Sequence, residues 1–444
     1  MTSMPKADFH FPPGFLWGCA TAAHQVEGRN KNNDWYAWEQ IPGKIQDGSR
    51  SDRASDWWSG RWKEDFDRAA ETGQNAHRLS IEWSRVQPAA DRWDEDALDH
   101  YRQIIRGLVE RGLTPMVTLH HFTIPLWMAE QGGWENPLAP DWFAAFTRKV
   151  VDALKEYVSL WCTINEPNVY VAGSYLTGDW PPGKEDQGAA FTVLGNLLRG
   201  HARAYKVIHE IQKTARVGVA HHYRPFVPAR PAFPPDRWMT NLLNQSFNRA
   251  FADAIQSGKL NFSLKSTRIP EAIGTQDFLG LNYYSYEEVR FVLDPKAIYM
   301  RRDFPQGVEM SGDGMNANQP DGIFTSLKWA RHYGLPILIT ENGIDDTRDT
   351  MRPRYLVSHL HQVWRAVNFN WQIKGYFHWS LVDNFEWDKG WSKRFGLWGL
   401  DVPTQTRIRR RSVDLYERIC KENCISYDLV DEFTPELLPV IYPD

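Results

Sequence analysis

Short apolar runs alternate with amphipathic stretches about eight times along this chain, and few architectures accept that order. The strand-like runs are 15–20, 76–80, 114–120, 160–165, 217–221, 278–282, 336–340 and 373–379. Runs such as Met116-Val117-Thr118-Leu119 show little apolar–polar alternation, as strands buried on both faces do. Helical patterns lie between them at 57–71, 94–111, 141–157, 189–212, 241–257, 323–333, 355–370 and 410–422. The second of these ends at Gly112, which reads as a C-cap. Strand then helix, repeated eight times, predicts a (β/α)8 TIM barrel spanning 1–444 as a single domain. A doubly wound sheet is the alternative, but no Gly-x-Gly-x-x-Gly follows the first strand. Two connections, 175–188 and 286–320, are long and follow strands. They are therefore expected on the barrel face that carries chemistry, as the rim of the site.

Composition removes several function classes. A net charge of −4 over 444 residues gives no case for nucleic-acid or anionic-membrane partners. No apolar run has transmembrane length, and the first residues lack the apolar core of a signal peptide. Four cysteines do not form a disulfide framework, and Cys420 and Cys424 have the spacing of packed helical thiols rather than metal ligands. The expectation is a cytoplasmic protein without metal or cofactor. The distinctive quantity is aromatic content, 14% with 21 tryptophans. Flat rings suit the apolar faces of sugars as well as a core.

Two glutamates close short apolar runs, each beside an asparagine. Glu166 follows Thr163-Ile164-Asn165 and precedes Pro167; Glu341 follows Ile339-Thr340 and precedes Asn342-Gly343, a turn signal. A glycosidase needs two carboxyl groups facing one pocket, one to protonate the leaving oxygen and one to attack the sugar carbon. Pro167 disfavours helical φ/ψ at Glu166 and predicts an extended residue there. Simple alternation would send Asn165 and Glu166 to opposite faces, so a shared pocket requires a bulge or twist at that strand end. Arg78 ends the second strand, where an unpaired charge would be costly. A buried carboxylate is its natural partner. His120 points away from His121 by alternation, and His221-His222 lacks metal spacing.

These segments together resemble family 1 glycoside hydrolases, the β-glucosidase type of retaining enzyme. The resemblance rests on Phe15-Leu16-Trp17-Gly18 with Ala20-Thr21-Ala22-Ala23-His24-Gln25-Val26-Glu27-Gly28, then His121-Phe122-Thr123-Ile124-Pro125, Thr163-Ile164-Asn165-Glu166-Pro167, Leu279-Gly280-Leu281-Asn282-Tyr283-Tyr284, Ile339-Thr340-Glu341-Asn342-Gly343 and 375–387. It implies Glu166 as acid/base and Glu341 as nucleophile, about 5–5.5 Å apart. It implies that Tyr284 donates to the nucleophile, and Arg78 is counted with it among the catalytic residues. Gln25, His121, Asn165, Asn282, Trp379, Glu386, Trp387 and Phe395 are assigned to the substrate. It also implies a cis peptide between Trp379 and Ser380. Burial and mutual repulsion are expected to raise Glu166, with Arg78 and Tyr284 keeping Glu341 ionised.

Phe122 stands where many relatives carry Trp, and Asn168-Val169-Tyr170 follows Pro167 where many carry an aromatic at or near Asn168, a position that flanks the leaving-group side. The implied substrate is a glycoside or short β-linked oligosaccharide ending in glucose, with galactose or fucose also accepted, and the protein could form a homo-oligomer. Alternatives are a 6-phospho-β-glycosidase and an inactive sugar-binding protein on the same fold. Glu386 argues against the first, since a carboxylate would repel a 6-phosphate, although Lys393 and Arg394 stand nearby.

Overall fold

Eight parallel strands close into a barrel in the computed structural model, which describes residues 7–294, 299–312 and 314–443. The barrel strands are β1 (Leu16–Ala20), β2 (Ala76–Ser80), β3 (Thr114–His120), β4 (Leu160–Asn165), β5 (Arg216–His222), β6 (Phe278–Tyr283), β7 (Ile337–Asn342) and β8 (Ile373–Trp379). Each pairs with its neighbour in sequence, and β8 closes the ring against β1. β2, β4, β6 and β7 are buried along their whole length, which explains their unalternating sequences.

Helices cover the outside, as the amphipathic stretches predict. Glu95–Val109 is representative. Asp94 caps it by accepting from the Ala97 N–H at 2.9 Å, and Glu95 and Asp96 fill the first turn. It buries Leu98, Tyr101, Ile104, Ile105 and Leu108, and the chain turns at Gly112 with φ of 75°. Deleting the Asp94 cap would cost about 1 kcal/mol.

Three ladders slip register near the strand tips. The slips fall between Cys162 and Asn165 in β4, between Leu281 and Asn282 in β6, and between Ile339 and Asn342 in β7. These tips carry Asn165, Asn282 and Glu341. A slip turns successive side chains toward one side, which plain alternation forbids. Beyond β7, the chain passes so close to β8 that a Cβ on Gly343 would sit 2.0 Å from the Trp379 carbonyl oxygen. The Trp379–Ser380 peptide is cis, as the resemblance implied.

Both long connections cross the face at these tips. In the second, Glu287–Phe291 pairs antiparallel with Met300–Asp303 and parallel with Phe226–Pro228, making a small sheet at the rim. All four cysteines are buried free thiols. Among the described residues, no helix is long and apolar enough to cross a membrane.

Candidate active site

A cavity of about 320 Å³ opens at the carboxyl ends of the strands, lined by both glutamates. This is the catalytic face of such barrels. Beneath it lies Arg78, which is fully buried. Its three nitrogens are all used. Nε donates to Thr118 Oγ1 at 3.1 Å, Nη1 to Glu341 Oε1 at 2.5 Å and to the Thr340 carbonyl at 3.2 Å, and Nη2 to Asn165 Oδ1 at 2.7 Å. The partner predicted for Arg78 is thus the one found. Tyr284 donates its hydroxyl to the other oxygen of Glu341, Oε2, at 2.7 Å. A carboxylate between a guanidinium and a phenol is oriented and partly neutralised.

The amides around Glu166 have one consistent orientation. Thr340 Oγ1 donates to Asn282 Oδ1 at 2.6 Å, so the Asn282 NH2 faces the other way. It donates to Asn165 Oδ1 at 3.1 Å and to Glu166 Oε1 at 2.8 Å. Asn165 Oδ1 also receives Arg78, so the Asn165 NH2 points to His121 Nε2 at 3.2 Å. His121 is held neutral, well below the usual range, by burial and by Arg78. Accepting at Nε2 puts its proton on Nδ1, which has no partner among the described residues. His120 faces outward as predicted, among Trp134, Phe143 and Tyr170.

One wall is aromatic and carries Glu386. Trp379, Trp387 and Phe395 line the cavity, and His121 stacks against both tryptophans at 5.9 Å between ring centroids. Gln25 and Asn384 donate to Glu386 Oε2 at 3.1 and 3.0 Å. Gln25 Oε1 is buried and has no partner among the described residues.

Four details correct the sequence reading. Glu166 is not extended: its φ is 44° and ψ 60°, left-handed, with its N–H donating to the Ala220 carbonyl at 2.8 Å. Pro167 excludes the right-handed helical region at Glu166, and this hydrogen bond with the neighbouring strand holds the residue in a sparsely populated alternative. Asn168 does not face the leaving-group side. Its NH2 is spent on the carbonyls of His222 and Phe247, and Val169 lines the cavity in its place.

The third correction concerns the carboxyl pair. His222 Nδ1 lies 2.9 Å from Glu166 Oε1, and no sequence argument anticipated it. Burial pushes Glu166 up, but the charge and hydrogen bond of His222, with Asn282, outweigh it and leave the group below its usual range. Burial pushes Glu341 up to about 7, with Arg78 opposing and the charge of Glu166 adding. The order in the pair, Glu341 raised and Glu166 lowered, is therefore the reverse of the expectation, and the His222 contact on Glu166 is its chief cause. Both arrangements hold one proton on the pair, so they belong to one macroscopic ionisation.

The fourth correction is Glu386. Burial raises it to about 8 against the Asn384 donor, with the charge of Glu341 adding. A group raised that far carries less standing charge to repel a phosphate than the sequence reading assumed. Sugar hydroxyl donors would favour its ionised form.

Other lining residues also escaped the sequence reading. Trp180, Thr177 and Asp179 come from the first long connection, and Arg302, Met315 and Asn316 from the second. Arg224 follows β5, and its Nη1 pairs with Glu287 at 2.7 Å.

A closed barrel that gathers two buried carboxyl groups, a guanidinium and a sugar-sized aromatic cavity at its strand tips has the equipment of a carboxylate-pair glycosidase. The sequence profile of glycosyl hydrolase family 1 matches residues 7–425, and the chain belongs to that family. β-Glucosidase A of Thermotoga maritima is 36% identical over 93% of this chain and 98% of its own length. The structure of a β-glycosidase from Pyrococcus horikoshii superposes with a TM-score of 0.90 at 38% identity, covering 97% of this chain and 98% of that one. A β-glucosidase from Thermotoga maritima in complex with glucoimidazole superposes at 0.87 and 35% identity, over 94% and 99% of the two chains.

Proposed function

We propose that Glu341 is the nucleophile and Glu166 the acid/base of a retaining β-glycosidase that releases terminal β-D-glucosyl residues, and β-D-galactosyl or β-D-fucosyl residues as well. The observation that carries this reading is the unequal furnishing of two carboxyl groups in one cavity. Glu341 has a permanent cation and a phenol. Glu166 has an amide and an imidazole.

In the first half-reaction a Glu341 oxygen bonds to C1 while the C1–O bond to the leaving group breaks. The proton of Glu166 passes to the departing oxygen. In the second, water attacks C1, gives its proton to Glu166, and the ester to Glu341 breaks. A separation of about 5–5.5 Å between the carboxyl groups belongs with this mechanism. Arg78 balances the charge of Glu341 before attack. The NH2 of Asn165 is the group placed for the 2-hydroxyl, a contact that strengthens as positive charge develops at C1. His121 offers its Nδ1–H to a further hydroxyl, Glu386 and Gln25 offer acceptors, and Trp379, Trp387 and Phe395 offer faces for the ring. Asn282 acts through Glu166. The four free thiols favour a reducing cytoplasm as the site of action.

The test is hydrolysis of an aryl β-D-glucoside, with the first-formed anomer read by NMR. β-Glucose appearing before mutarotation is expected. α-Glucose first would exclude the retaining mechanism, and no hydrolysis would favour the sugar-binding alternative.

A further inference from the structure

Glu166 Oε1 is approached by two nitrogens, Asn282 Nδ2 at 2.8 Å and His222 Nδ1 at 2.9 Å. Among the described residues, none bonds to Oε2. The Asn282 nitrogen is necessarily a donor, because its amide oxygen already accepts from Thr340. The His222 ring is set by its surroundings. It lies nearly parallel to Tyr284, at 17° and 6.0 Å between centroids, and edge-on to Phe247. Its backbone carbonyl accepts the Asn168 amide. Nε2 is buried and has no partner among the described residues.

We infer that His222 is a positioning residue for proton transfer: with Asn282 it occupies Oε1 of Glu166 and leaves Oε2 as the oxygen that gives the proton to the leaving group and takes it back from water. This rests on the reading of Glu166 as acid/base. With the proton of His222 on Nδ1, the tautomer this inference assigns, Oε1 receives two N–H donors, has its lone pairs engaged and is the poorer place for a proton. The two donors also fix the carboxyl plane, which proton transfer to a defined oxygen requires. The same contact favours the ionised form of Glu166, the form that must accept the proton of the attacking water.

Among the described residues, few groups face His222. Glu166 reaches it from the end of β4. Tyr284, beyond β6, is a neutral phenol pushed well above its usual value by burial and Glu341. Glu341 stands behind that phenol. Phe247 carries no charge. Arg224, two residues along, is paired with Glu287.

The experiment compares the parent with His222→Phe, which keeps a ring and removes the donor. A second variant, His222→Asn, keeps an N–H near the Nδ1 position without a titratable ring. For phenyl β-D-glucoside, kcat/KM reports the first half-reaction, which needs Glu166 protonated. For 2,4-dinitrophenyl β-D-glucoside, kcat reports the second once a burst of dinitrophenolate shows that hydrolysis of the intermediate is limiting; this step needs Glu166 ionised.

Removing the donor makes Glu166 a weaker acid. In His222→Phe the alkaline limb of the first profile and the acid limb of the second should therefore both move to higher pH, each by about one unit. In His222→Asn the limbs should lie nearer the parent, and the rate on phenyl glucoside should be largely restored. Limbs that coincide with the parent's would overturn the inference, as would a His222→Asn no better than His222→Phe. If the Phe variant does not fold, His222→Leu makes the same comparison. Glu166→Ala with azide is run alongside. If it shows neither dependence on the leaving group nor a β-glycosyl azide product, the acid/base reading itself has failed. If it shows both while the His222 limbs stay fixed, only the role of His222 has failed.

Discussion

Arg78 and Glu341 form a closed ion pair under the sugar cavity, Nη1 to Oε1 at 2.5 Å, with the arginine side chain wholly out of water. Arg78 lies on β2 and Glu341 on β7, so the contact crosses the inside of the barrel. The same guanidinium holds Asn165 through Nη2 at 2.7 Å. One cation therefore orients both the carboxyl group proposed as nucleophile and the amide proposed to meet the 2-hydroxyl.

Arg78→Met should damage the enzyme twice over. Breaking a buried pair by removing one partner typically costs about 3–5 kcal/mol of stability, which a denaturant titration measures. Without the cation, Glu341 should hold its proton to higher pH and the acid limb of kcat/KM should move up. A stable variant with an unshifted limb would show that the pair does not keep the nucleophile charged.

Glu386 should decide which sugars react. With Gln25 and Asn384 on one oxygen, the other is left for hydroxyl donors from the bound ring. Losing one hydrogen bond to a charged group is worth about 1.5–3 kcal/mol. An aryl β-xyloside, which lacks the 6-hydroxymethyl group, should then show kcat/KM lower by roughly ten- to a hundredfold than the matching glucoside. Glucoside and galactoside should differ less, because a carboxylate accepts from either orientation of the 4-hydroxyl. If Glu386→Ser leaves the glucoside-to-xyloside ratio unchanged, another group reads this part of the sugar.

Buried histidines should make the fold sensitive to acid. Burial holds His77, His120, His201, His359 and His378 down to about 3, and His221 to about 4. These folded values lie below the unfolded value near 6.5. The unfolded chain therefore takes up protons first, and the stability present above pH ~6.5 is lost as pH falls below it. Glu27 and Asp34, both raised to about 7 chiefly by burial, act in the opposite sense. His120 isolates the histidine contribution, since its shift comes chiefly from burial and the rings of Trp134, Phe143 and Tyr170 surround it. Between about pH 7 and about pH 5, His120→Phe should lose about 2 kcal/mol less stability than the parent. Parallel losses in urea titrations at the two pH values would contradict the assignment.

The barrel was legible because strands buried on both faces show it as unbroken apolar runs, and covering helices show their 3.6-residue period. Glu166, Glu341 and Arg78 were legible because charge at the end of such a run needs a reason. The missing pieces share a different cause. Whether Glu166 is extended or left-handed depends on its hydrogen bond with Ala220 of the next strand, which no local propensity encodes. Asn168 looked like a cavity residue by its position after Pro167, but its amide is claimed by two carbonyls far along the chain. His222 was half visible. The pair His221-His222 ends a strand next to the one carrying Glu166, and a polar residue at an adjacent tip was the available signal. Its register against Asn165 and Ala220 follows only from the slipped ladder between β4 and β5. The pKa order followed from the same gap, since the sequence reading weighed Arg78 and Tyr284 without the imidazole on the other carboxyl.

The most direct test of the account is to trap the covalent intermediate. A 2-deoxy-2-fluoro-β-glucosyl fluoride slows both half-reactions but leaves the glycosyl-enzyme longer lived, so the labelled residue can be found by peptide mass spectrometry. The account predicts one sugar per chain, attached to Glu341 within the peptide that holds Ile339-Thr340-Glu341-Asn342-Gly343, and release of the label with return of activity when a glycosyl acceptor is added. A label on Glu166, or inactivation without any covalent sugar, would contradict it.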